Sequence, residues 1–317
     1  RINIGYDQLK EINPRLVYVY AGGYGATGPH SHRPSMHPIP GAVCGGVWAQ
    51  LGKDTLPPAS QNMTLDEIKE VSRKWGRSNE GNPDPNSSMA VSVAILLGLY
   101  AREQTGKGQY IVSTMLQANA YANIDDFFSY EGKPERPMAD YYGYGLHALY
   151  RLYEAKNGWV FLACPFQDEW EKFANTVGLN NLLSDDRFAT VELRKQNDNE
   201  LVTEIEKVFI TREPMEWERT LTTVGVSCVK AEDVSPYNFF LNDSHVKQNH
   251  LTTEVESIRL GKFWRYSPVI SFSDTSSYAN SGPLLGQQTR SILMELGYNE
   301  QDITDFKDRN VVNWEKP

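Results

Sequence analysis

Cysteine is scarce in this chain. Cys44, Cys164 and Cys228 are the whole complement of 317 residues, odd in number and far apart. That excludes a disulfide framework and fits a reducing, cytoplasmic setting. Long apolar runs are missing too: no stretch approaches the ~20 residues a helix needs to cross a bilayer. The opening RINIGYDQLKEINPRL has no apolar core of the kind a signal peptide carries. Positive charge is in deficit, with 31 Lys and Arg against 40 Asp and Glu and a net charge of −9. Nucleic acid and membrane are therefore excluded as main partners, while an anionic small ligand can still be held by a local basic pocket. Internal repeats and low-complexity tracts are absent. What is there is a globular composition, 40% hydrophobic and 22% charged, long enough for one large or two ordinary domains. The chain begins at Arg1 rather than Met, inside what reads as an element, so a preceding piece is expected to be missing.

Along the chain, Tyr6–Asn13 reads as a short helix stopped by Pro14, and Arg15–Ala21 as a buried strand rich in Val and Tyr. Gly23-Tyr24-Gly25-Ala26-Thr27-Gly28 then matches G-x-G-x-x-G, the spacing of a dinucleotide fingerprint. That fingerprint needs its third glycine to open a helix. Here Pro29-His30-Ser31-His32-Arg33-Pro34 follows without helical period, so the loop is expected to line a different ligand. Thr64 with Glu67 forms a capping-box pattern for a surface helix over Thr64–Trp75. Pro85–Glu103 is apolar nearly all round and reads as a buried helix, Tyr110–Thr114 as a strand and Met115–Tyr130 as a helix. After a Pro-, Gly- and Tyr-rich stretch the pattern changes. Leu149–Glu154 and Trp159–Cys164 read as strands turning at Asn157-Gly158, with helices over Asp168–Val177, Glu192–Ile210 and Met215–Val224 and a strand at Val226–Val229. This is a second, smaller α+β domain. The tyrosines Tyr141, Tyr142 and Tyr144 before it fit either an acyl pocket or an exposed linker.

Three features carry chemistry. His30, His32 and His37 have no Cys, Asp or Glu set at metal-ligand spacing, so no metal is expected. His30 and His32 read as solvated loop residues. His37 stands at the edge of a small-residue apolar segment, where a half-buried histidine can be tuned for proton transfer. Asp84-Pro85 reads as an N-cap aspartate with proline at the first helical position, a carboxylate set against orphan backbone N–H groups and the positive helix end.

Six segments, in order, resemble the class III CoA-transferases: GYDQLKEINPRLVYVYAGGYGATGP, RPSMHPIPGAVCGG, DPNSSMAVSVAILLGLYAREQTGKGQ, NGWVFLACPFQDEW, LLSDDRFAT and GPLLGQQTRSILMELGY. Relatives in that family include formyl-CoA transferase, carnitine CoA-transferase and α-methylacyl-CoA racemase. The resemblance spans nearly the whole chain. It implies an α/β fold with a Rossmann-like large domain that binds CoA rather than NAD, its first βαβ units missing here. It also implies an inserted smaller domain, a C-terminal return to the large domain, and an interlocked dimer. The expected bounds are 1–135 for the large domain, 136–147 for a linker, 148–262 for the small domain and 263–317 for the return.

By the same resemblance, counting back from Gly106 places Asp84 on the family's catalytic aspartate. His37 falls where the racemases carry a catalytic histidine. Arg1 falls on an arginine that contacts CoA, and Gly23, Gly25 and Arg33 lie in segments expected to hold it. The implied activity is CoA transfer from an acyl-CoA to a carboxylic acid through an aspartyl intermediate, with coenzyme A as substrate and no permanently bound cofactor. Two alternatives stand beside it. One is a racemase using His37 and Asp84 as a paired acid and base. The other is a non-catalytic CoA-binding subunit in a heteromer with a related chain.

Overall fold

A computed structural model describes residues 3–36, 43, 63–67, 83–134, 137, 139–140 and 142–315. The chain divides into two compact units, 1–147 and 148–317.

The first unit is built on two parallel strands, β1 (Val17–Gly22) and β2 (Gln109–Thr114), in register from Val17 opposite Gln109 to Gly22 opposite Thr114. Alternation along a strand sends neighbouring side chains to opposite faces, and each face has its own helix. Tyr18 and Tyr110 share one face, where Tyr6 of α1 (Tyr6–Ile12) packs with ring centroids 6.0 and 5.5 Å away. Val17 and Ile111 share the other, under the long helix α2 (Pro83–Thr105). Gly98 lets α2 approach: a Cβ there would lie 2.7 Å from both Val17 Cγ1 and Ile111 Cδ1. The TGKGQ segment has equally physical reasons for its glycines. Gly106 stops α2 with φ +73, and a Cβ on Gly108 would fall 2.0 Å from the Leu16 carbonyl oxygen. Helix and strand are then pinned together by Gly108 N–H donating to Pro14 O at 2.9 Å and by Arg15 donating to Gly106 O at 3.4 Å.

Three expectations are corrected in this unit. The helix starts at Pro83, so Asp84 lies inside its first turn rather than capping it. First-turn N–H groups have no intrahelical acceptor, and Pro83 and Pro85 are both tolerated there. The helix is also not buried all round. Met89, Val93, Leu96, Leu97 and Tyr100 form a helical stripe between 50% and 67% exposed, because the strand pair covers only one side of it. Finally, the helix expected over Met115–Tyr130 is two, α3 (Met115–Ala122) and α4 (Ile124–Phe127). It breaks at Asn123, whose side-chain amide donates to Asn119 O at 2.9 Å and competes with the backbone ladder. Around Thr64, the capping box forms as expected: Thr64 N–H donates to Glu67 Oε2 at 2.7 Å and Glu67 N–H to Thr64 Oγ1 at 3.3 Å. The Thr64 N–H, together with the Thr64 hydroxyl that donates to the same Oε2 at 2.8 Å, holds the Glu67 carboxyl below its ordinary value. The rest of that expected helix lies outside the described residues.

The second unit carries the largest core. The first unit ends in a short strand, β3 (Gly145–His147); within the second, a sheet runs in the order β4 (Tyr150–Ala155), β5 (Gly158–Ala163), β6 (Ser227–Ala231), with β4–β5 and β5–β6 antiparallel. The β4–β5 hairpin turns at Lys156 and Asn157, the latter at φ +59, with Gly158 opening β5 opposite Ala155, one residue before the expected Asn157-Gly158 turn. Tyr153, Val160, Leu162 and Cys228 point into one buried layer. Over it lie α5 (Gln167–Val177), α6 (Val191–Gln196), α7 (Asp198–Phe209) and α8 (Pro214–Thr223), contributing Trp170, Phe173, Leu201, Phe209 and Trp217. The helix expected over Glu192–Ile210 is broken at Asn197, whose amide donates back to Leu193 O at 2.8 Å. Beyond β6 come α9 (Pro236–Asn242), α10 (Ser244–Gln248) and a hairpin, β7 (Thr252–Ser257) and β8 (Gly261–Tyr266). The unit ends in α11 (Thr289–Glu295) and α12 (Glu300–Asp308).

Two of the three cysteines lie in this core, Cys164 and Cys228, both fully buried. Burial pushes the Cys164 thiol far up and the Cys228 thiol up to about 12. The thiolate is the reactive form. At pH 8 the native protein should therefore leave both cysteines unlabelled by a thiol reagent, and denaturant should release them. Peptide mapping checks this, and labelling of either residue in native protein would contradict it.

Candidate active site

Parallel strands collect their loops at the carboxyl end, and ligands in open α/β sheets bind there. Three pieces of the first unit meet that description. The loop 23–36 leaves β1 at Gly22. Helix α3 starts directly from β2, where the Thr114 hydroxyl accepts Gln117 N–H at 3.0 Å. The third piece is the start of α2. The glycine turn that ends it, Gly106–Gly108, is tied to Pro14 and Arg15 at the amino end of β1, so the helix runs back along the strands and its first turn stands at the carboxyl end. Gly98 rests beside Val17. From there to Asp84 is about 21 Å of helix, against about 17 Å of strand from Val17 to Gly22. Asp84 therefore comes roughly level with the glycine loop.

The first turn of α2 suits a carboxylate that has to be both held and accessible. Asp84 is its acidic residue and is exposed. Its carbonyl takes a back-bond from the Ser88 hydroxyl at 2.9 Å, and Ser92 repeats the pattern on Ser88 O at 2.8 Å. Apart from Asp84, the helix carries no charged side chain until Arg102.

The loop is fixed on several sides. A Cβ on Gly23 would fall 2.1 Å from Ser35 Oγ, and the Ser35 hydroxyl donates to Met115 Sδ at 3.3 Å. Gly25 has φ +108, a conformation that side chains rarely adopt. Gly28, φ +94, opens a turn in which Ser31 N–H donates to Gly28 O at 3.3 Å and Arg33 N–H to His30 O at 3.0 Å. Among the described residues 29–36 no helix follows the third glycine.

Of the residues singled out from sequence, Gly23, Gly25 and Arg33 thus share one loop, with Arg33 exposed. Asp84 stands at the same end of the strand pair. Arg1 and His37 lie outside the described residues. Tyr20 and Ser35 were not anticipated. Their signal was faint: a Tyr two residues before a Gly-Gly pair, and a Ser between two motifs. Tyr142 and Tyr144 stack on each other with centroids 5.7 Å apart, and Tyr142 is exposed; Tyr141 lies outside the described residues. Among the described residues no three of His, Cys, Asp and Glu are grouped to hold a metal, and no helix is long and apolar enough to cross a membrane.

Comparison with known proteins places this geometry in context. A family model described as CoA-transferase family III matches residues 1–289. Succinyl-CoA:glutarate CoA-transferase of Mus musculus is 25% identical over 301 residues, 94% of this chain and 64% of the mouse protein. The succinyl-CoA–L-malate CoA-transferase beta subunit of Chloroflexus aurantiacus is 26% identical over 98% of this chain and 73% of its own length. The chain thus spans about two thirds of the length of such relatives. Among solved structures, Rv3272 from Mycobacterium tuberculosis superposes with a TM-score of 0.66 at 19% identity, over 90% of this chain and 71% of that one. That likeness shows a shared fold.

Proposed function

The chain belongs to CoA-transferase family III, and from that premise we propose that it moves coenzyme A from an acyl-CoA to a carboxylic acid through a covalent intermediate on Asp84. What supports the reading is Asp84, an exposed carboxylate in the first turn of α2, which by helix and strand rise falls near the glycine loop at the carboxyl end of the parallel strands.

A carboxylate that is positioned against an activated carbonyl can act as a nucleophile. In the first step an Asp84 carboxylate oxygen attacks the thioester carbon. The C–S bond breaks and the CoA thiolate leaves, giving an aspartyl mixed anhydride. The thiolate then attacks the aspartyl carbonyl, releasing the first acid as its carboxylate and leaving an aspartyl-CoA thioester. The acceptor carboxylate attacks that thioester and expels the thiolate again. Closure of the thiolate on the acceptor acyl carbon forms the new acyl-CoA and frees Asp84. Every intermediate keeps an activated acyl bond, so the step needs no external energy source. Each tetrahedral stage carries an oxyanion that wants preorganised N–H donors. In this reading the large domain is Rossmann-like and takes CoA, with Gly23, Gly25, Arg33 and Arg1 proposed on the CoA side. Two chains, or this chain and a related subunit, make the working assembly. The β-subunit name of the Chloroflexus relative supports the second form.

Trapping tests the intermediate. Incubation with succinyl-CoA followed by hydroxylamine should give a hydroxamate on the peptide that carries Asp84. Turnover without any such adduct would remove the covalent mechanism. His37 separates transferase from racemase. His37→Ala is expected to leave CoA transfer within a few-fold of the parent. A loss of about a hundredfold or more, the usual worth of an acid–base group, together with α-proton exchange into deuterated water, would assign the racemase instead.

A further inference from the structure

Resting on that transferase reading, we propose that the peptide N–H groups of Tyr24 and Ala26 form a cradle for an anionic oxygen of the substrates, and that Tyr20 is the positioning residue that aims it. A trans peptide unit is planar, and its C=O and N–H point in opposite directions. Gly23 O accepts the Leu116 N–H of α3 at 3.2 Å. The other half of that unit, Tyr24 N–H, is therefore turned away from α3. Gly25 O accepts the Tyr20 hydroxyl at 3.2 Å, and so Ala26 N–H is turned away from the Tyr20 ring and from β1. The carbonyls of both units face the protein, which leaves the N–H groups facing outward. Among the described residues neither N–H donates a hydrogen bond within the protein.

The two N–H groups belong to the residues on either side of Gly25, whose φ of +108 is open to glycine. N–H groups set around such a residue make an anion-binding concavity. Tyr24 is half-buried and Ala26 exposed, so a ligand can reach both. Charge favours the same ligand. On a chain of net charge −9, this loop carries His30, His32 and Arg33 and no acidic residue, and the Tyr24 and His30 rings meet edge-on at 6.5 Å.

The position of Tyr20 depends on Gly22. A Cβ at residue 22 would lie 2.5 Å from the Tyr20 ring, so glycine there allows the ring to fold back and reach Gly25 O. The paired glycines Gly22 and Gly23 thus serve the cradle: one admits the Tyr20 ring, the other admits Ser35. The anion is a carboxylate of the acid substrate or a phosphate of CoA, and the experiment separates them.

Isotope-labelled full-length chain is titrated in separate arms with succinate and with free coenzyme A, following the Tyr24 and Ala26 amide resonances. A shift with succinate assigns the cradle to the carboxylate, and a shift with coenzyme A alone assigns it to the phosphates. Resonances unmoved in both arms overturn the cradle. Tyr20→Phe removes one hydrogen bond, so the KM for the assigned substrate should rise roughly five- to tenfold. Turnover and unfolding midpoint should stay near those of the parent. An unchanged KM, or KM, turnover and midpoint failing together, would remove Tyr20 from the positioning role. Amide shifts in a chain that transfers no CoA would sink the transferase reading and leave the cradle standing.

Discussion

Asp84→Asn lowers CoA transfer by about a thousandfold or more, the scale on which a covalent nucleophile is felt when it is removed. The substitution keeps shape and volume and changes what the group can do, because a neutral carboxamide does not attack a thioester at a useful rate. The structural side effect is small. Asp84 is exposed in the first turn of α2, where an acidic side chain stabilises a helix by about 0.3–1 kcal/mol through the macrodipole. Circular dichroism and the unfolding midpoint should therefore stay close to those of the parent while single-turnover formation of the acyl adduct disappears. Transfer that persists at parental rates would show that the carboxylate is only a structural part of the helix start.

The contrast between reading Asp84 as a cap and finding it inside the turn shows what sequence carries well and what it does not. Helix boundaries move by a residue or two where two prolines compete for the first turn. The register from Asp84 to the TGKGQ turn does not move, because Gly106 and Gly108 are each required by a backbone constraint: a positive φ at one and the Leu16 carbonyl at the other. Elements specified by local chemistry were legible for the same reason. The β4–β5 hairpin and the Thr64–Glu67 capping box are cases whose partners are close in sequence. Breaks at Asn123 and Asn197 were not legible, since an asparagine in a helical pattern reads as neutral until its amide is seen on the carbonyl four residues back.

The β7–β8 hairpin was missed because Glu254, Glu256, Lys262 and Arg265 interrupt its apolar residues and no Asn-Gly marks the turn. Periodicity alone could not forecast the exposed stripe of α2 either. An all-apolar helix reads as buried, and whether it is depends on how many layers surround it. For the candidate site, sequence proposed the loop and the carboxylate. Of the parts that hold the loop in one conformation, Ser35 and Leu116 act through single long-range contacts and Tyr20 through a hydroxyl five residues from its acceptor, and none of these has a spacing rule.

The heaviest stability effect is expected in the second unit, at Trp217. Its side chain is buried to 2% exposure, and the indole N–H donates to Phe209 O at 2.8 Å. The ring meets Phe209 edge-on at 5.4 Å, and the Arg212 guanidinium lies 4.7 Å from its centroid. Trp217→Ala therefore removes the most voluminous kind of core side chain and takes one of two donors from the carbonyl at the end of α7, which keeps only the Arg212 N–H at 3.5 Å. Truncation of a buried Trp or Phe costs about 3–5 kcal/mol through lost transfer energy and the cavity left behind. Against a total stability of about 5–15 kcal/mol for a typical domain, that loss should unfold a large fraction of the molecules at 37 °C. Trp217→Phe retains most of the packing and loses only the donor, so it should fall between parent and Ala. Chemical denaturation followed by circular dichroism measures all three. Equal midpoints for Phe and Ala would mean that the hydrogen bond rather than the packed volume holds α7 and α8 together.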